Sequence, residues 1–84
     1  MPKFMDFHAK MPHLPAEALA SLKREIQAGK PDQFGVKPIN AFLGADGRAY
    51  CLTEAPNAEA VCASHLAKGL LLGKADVVQV NSVV

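Results

Sequence analysis

Asp6 and His8 stand two residues apart in Lys3-Phe4-Met5-Asp6-Phe7-His8, a stretch that alternates in character. On an extended backbone that spacing puts both side chains on one side. A carboxylate and an imidazole so placed can co-ligate a borderline metal ion, or the carboxylate can orient the imidazole for proton transfer. A partly exposed strand-end histidine is the plain alternative. Cys62 and His65 are three apart in a helical stretch, close enough to reach one ion. The plain alternative there is a histidine favoured by the helix C-terminal dipole above a buried cysteine.

Glu54 closes a later strand, and two adjacent central strands would bring it near His8; otherwise it is a solvent-facing charge. His13, between Pro12 and Pro15, reads as a solvated turn residue. Cys51 alternates with Tyr50 and Leu52 and reads as inert core packing. The sequence has no P-loop, GxSxG, HExxH, dinucleotide-binding glycine turn or RNA-binding aromatic motif.

The elements that must carry these side chains follow from periodicity. Residues 3–9 alternate as a half-buried strand. Leu19, Leu22 and Ile26 recur at helical spacing behind Pro15, read as the first helical residue, and Gly29 and Pro31 stop the helix. Residues 34–43 form a second strand, expected at an edge or bulged because Pro38 lacks a ladder donor. Gly44-Ala45-Asp46-Gly47 is a hairpin turn leading into a third strand over Arg48 to Thr53. Asn57 is an N-cap for a second helix carrying Val61, Cys62, His65 and Leu66 and closed by Gly69, and Asp76 to Val84 reads as a fourth strand.

The order βαββαβ makes residues 1–84 a single α+β domain of ferredoxin-like type. Its four-stranded antiparallel sheet has two helices on one face, with strands one and three in the middle. Met5 and Phe7 are the more apolar side of the first strand and are expected to meet the helices. Phe4, Asp6 and His8 would then look toward the open face. That mixed surface, and the valine-rich last strand, would suit pairing with a second copy.

Composition narrows the function classes. Of 84 residues 50% are hydrophobic, but 14 of those are alanine, so the core is thin. A net charge of +1 and the lack of tryptophan argue against a nucleic-acid surface. Leu70-Leu71-Leu72, the longest leucine run, is far short of a membrane span, and the opening residues lack the apolar stretch of a secretory signal. Two cysteines without CxxC spacing read as reduced thiols, which points to the cytoplasm.

Lys3-Phe4-Met5-Asp6-Phe7-His8, Cys51-Leu52-Thr53-Glu54-Ala55-Pro56-Asn57, and Glu59-Ala60-Val61 with His65 before Gly69 resemble the small bacterial nickel-binding, ferredoxin-like domain family. The resemblance implies a homodimer and a metal site of histidines and carboxylates, matching His8 and His65 with Asp6 or Glu54 as partners. The chain departs from the family pattern at Lys68, where a second histidine is usual, and within Ala16 to Ala28, which holds none. The expected function is a small dimeric cytoplasmic protein that binds nickel or another divalent transition metal without catalysis, and with neither nucleic-acid nor membrane partners. The alternative is a dimeric α/β-barrel-type enzyme or small-ligand module, with His8 as acid or base near Tyr50 or Glu54 between the open sheet faces.

Overall fold

The computed structural model describes residues 1–10 and 15–83. His13 lies outside the described residues. The elements run β1 (Lys3–His8), α1 (Ala16–Ala28), β2 (Lys37–Leu43), β3 (Ala49–Glu54), α2 (Ala58–Ala67), a single 3-10 turn at Lys74–Asp76, and β4 (Val77–Val80). The strands form one antiparallel sheet in the order β2-β3-β1-β4, which places β1 and β3 in the centre as the chain order requires.

Local chemistry explains the joints. Pro15 sits just before α1 as its extended N-cap rather than inside it, and Gly29 ends the helix in the left-handed region at φ 64°. The Asn57 side chain accepts the Ala60 N–H at 2.8 Å and so starts α2. The register of β2 against β3 slips between Pro38 and Asn40, where proline interrupts the ladder. Between β2 and β3, Gly47 turns at φ 90° and the Asp46 carboxylate accepts the Arg48 N–H. The last strand is shorter than the expected Asp76 to Val84: Asp76 belongs to the 3-10 turn, and pairing runs from Val77 to Val80, opposite Lys3 where β1 begins.

The facing of β1 is the reverse of the expectation. Phe4, Asp6 and His8 are buried beneath the helices, whereas Met5 and Phe7 occupy the open face. The cause is spatial. The residues of β3 that pair with Phe4, Asp6 and His8 are Thr53, Cys51 and Ala49, all small enough to lie under a helix. Bulkier partners, Leu52 beside Met5 and Tyr50 beside Phe7, take the other face. There the Phe7 and Tyr50 rings meet with centroids 5.3 Å apart.

Phe4, Val36, Ala55, Val61 and Leu72 form the buried apolar core, with Phe34, Ala58, Cys62 and Val77 packed against it. The helices contribute unequally. Val61, Ser64 and His65 of α2 are buried, while no residue of α1 is. A buffer of hydrogen bonds around Asp32 ties the α1–β2 connection down: its carboxylate accepts the Phe34 and Val36 N–H groups and the Ser64 hydroxyl. Burial works against ionisation of that carboxyl, but these donors outweigh it and hold Asp32 below its ordinary value.

Candidate metal centre

The helix-facing side of the sheet carries a polar cluster at its centre. Asp6 and His8 project from β1, Cys51 from the paired position on β3, and His65 descends from the last turn of α2. Asp6 is 0% exposed, His8 8% and His65 9%. One potential ligand atom from each of the four lies within 4.8 Å of all the others. Ligands about 2.0–2.3 Å from an ion sit roughly 3.3–3.8 Å apart around a tetrahedron, so only modest contraction is needed.

Both imidazoles turn Nε2 toward the same carboxylate oxygen. His8 Nε2 lies 2.7 Å and His65 Nε2 3.5 Å from Asp6 Oδ1, and the two rings are 5.2 Å apart. Despite these short distances the directions are wrong for hydrogen bonding, leaving both Asp6 carboxylate oxygens and His8 Nε2 buried without a partner. His65 is oriented from behind: its Nδ1–H donates to the Val61 carbonyl at 2.8 Å, one helical turn earlier. That bond assigns the proton to Nδ1 and leaves the Nε2 lone pair aimed at the cluster, the arrangement that metal-bound histidines adopt.

The electrostatics are those of a site short of positive charge. Burial raises the Asp6 carboxyl above its ordinary range, and the nearby His65 and His8 only partly offset it. Burial, followed by the nearby Asp6 charge, pushes Cys51 up to about 12. A divalent cation would reverse both effects, since it favours carboxylate and thiolate alike.

Of the residues singled out from sequence, the structure brings together Asp6, His8 and His65. Glu54 is corrected: it pairs with Lys3 at the far end of β1 and belongs to the opposite sheet face, so it is remote from His8. Cys62 lies beside the apolar core and outside the cluster. Cys51, read as inert packing, takes the fourth place instead. Its strand parity was visible in the sequence, but its pairing with Asp6 depends on a cross-strand register that alternation alone does not fix. Lys68 turns outward, with Nζ 3.4 Å from Glu25 Oε2. Tyr50 lies on the open face, opposite to His8, so no acid–base pair forms between them.

Fold and site together define a small α+β protein with an Asp-His-Cys-His cluster between sheet and helix. Its structure is similar to the crystal structure of SCO4226 from Streptomyces coelicolor A3(2), with 28% identity, a TM-score of 0.72, and coverage of 98% of this chain and 99% of that one. No family model matches the sequence, and no curated protein matches it. Among the described residues, no helix is long and apolar enough to cross a membrane.

Proposed function

We propose that the protein binds a divalent first-row transition metal through Asp6, His8, Cys51 and His65, with nickel the expected ion and no catalytic step. The observation that carries this reading is the set of buried polar atoms without partners, both Asp6 oxygens and His8 Nε2, converging where His65 Nε2 also points. Leaving such groups unsatisfied costs about 1–3 kcal/mol each. A bound cation satisfies all of them at once. Two imidazoles, a carboxylate and a thiolate form a donor set of intermediate softness, which suits nickel, cobalt and zinc better than calcium or magnesium.

Calorimetric titration of tag-free protein with nickel and with zinc tests this. His8→Ala, His65→Ala and Cys51→Ser should each weaken binding at least about tenfold, and Glu54→Gln should leave it unchanged. A wild type that binds neither ion, or histidine variants that bind as well as the wild type, would refute the proposal. The protein is further proposed to act as a homodimer joined through the open face, where Phe42, Tyr50 and Val78 are exposed beside Met5 and Phe7.

A further inference from the structure

The geometry points to a second ligand site that adjoins the proposed metal cluster at Cys51 and His65: a groove between α1 and β2 that takes a small uncharged molecule with an apolar body and a hydroxyl head. An open groove of about 320 Å³ runs between the two elements, lined by Leu19, Leu22, Ile26, Ala41 and Leu43. It continues inward to a pocket of about 40 Å³, with Leu22, Ile26, Asn40 and Ala41 shared between the two. At the inner end stand Cys51, Thr53, Ser64 and His65.

Thr53 supplies the recognising group. It is 4% exposed, lines the inner pocket, and its hydroxyl has no hydrogen-bond partner. A buried hydroxyl without a partner calls for one from outside the chain. The inner volume is about that of one water or one hydroxyl group, and the outer groove has room for a chain of six or so carbons. Charge selects for neutrality at both ends. Asp6, 3.5 Å behind His65 Nε2, repels an anionic head, while Lys23 on the outer groove and Lys68 on the inner pocket disfavour a cationic ligand. The helix side of the groove is available because α1 buries none of its residues and Leu19 is 38% exposed.

The site is tested on EDTA-treated protein, so its outcome is independent of metal binding. Backbone amide and methyl resonances are followed during titration with 1-hexanol and, separately, 1-fluorohexane, which has nearly the same shape without the donor. The expected result is saturable shifts at Leu22, Ile26, Ala41 and Thr53, with the alcohol binding about five- to tenfold more tightly than the fluoride. Thr53→Val should abolish that preference while keeping the fluoride affinity. Ile26→Phe, on a helix that buries nothing, should fill the groove and weaken both ligands. No saturable shift, equal affinity for the two probes, or a preference that survives Thr53→Val overturns the assignment. Groove resonances that move on dilution without ligand would also overturn it, since they would assign the groove to another copy of the chain.

Discussion

Asp6 is the residue on which the site turns. Its carboxylate is 0% exposed, and burial raises its pKa over the opposing pull of the two histidines. The sign for stability follows directly. Where the folded state holds a proton more tightly than the unfolded chain, stability falls as pH rises from 3.8 through the raised folded value. Asp6→Asn removes that ionisation and keeps the shape. Metal-free protein carrying this change should be more stable than wild type at pH 7, by about 1 kcal/mol, while nickel no longer raises its melting temperature. Thermal melts with EDTA and with nickel measure both effects. A carboxylate required only for packing or a native hydrogen bond would give the opposite result, a less stable metal-free variant.

At the scale of elements, Asp32 joins the start of β2 to α2 through two backbone amides and the Ser64 hydroxyl. Its lowered pKa means the ionised form stabilises the fold; that contribution is present above its ordinary 3.8 and lost as pH falls through the lower folded value. Asp32→Asn should therefore cost about 1 kcal/mol near neutrality and less at a pH below the lowered folded value. Urea unfolding at the two pH values reads the difference.

Most of the element order was legible: the Leu19, Leu22, Ile26 stripe, the Asn57 cap, the Asp46-Gly47 turn and the break at Pro38 are local signals, and the structure shows each. Facing was not. Both sides of β1 carry an aromatic residue, and the more apolar side, Met5 with Phe7, proved not to be the one the helices cover. Helix clearance over the small side chains Ala49, Cys51 and Thr53 decided it, and that depends on register. The same step removed Glu54 from the candidate site and supplied Cys51.

On the scale of the whole molecule, the inversion separates two surfaces that the sequence had merged. The polar cluster lies inside the single chain, and the open face is left to Phe7, Tyr50, Phe42 and Val78. The proposed metal binding and the proposed pairing would then be independent. Light scattering should give twice the 8.9 kDa chain mass for the wild type, and Tyr50→Glu should shift it to one chain by placing a carboxylate in an apolar contact. Nickel affinity of that variant should stay within about twofold, as expected for sites that share no partners.

The pairing of β1 with β4 runs only from Lys3 to Asp6, so Phe7 and His8 are held in the sheet by β3 alone. Strand ends tied on one side open at lower free energy than those laced on both. The pairing therefore predicts that His8 opens more readily than Asp6, which is clasped between two neighbours. On the proposed metal-binding reading, a cation would be captured and surrendered by a fold that never comes apart, with one ligand as the moving latch and another as the fixed post.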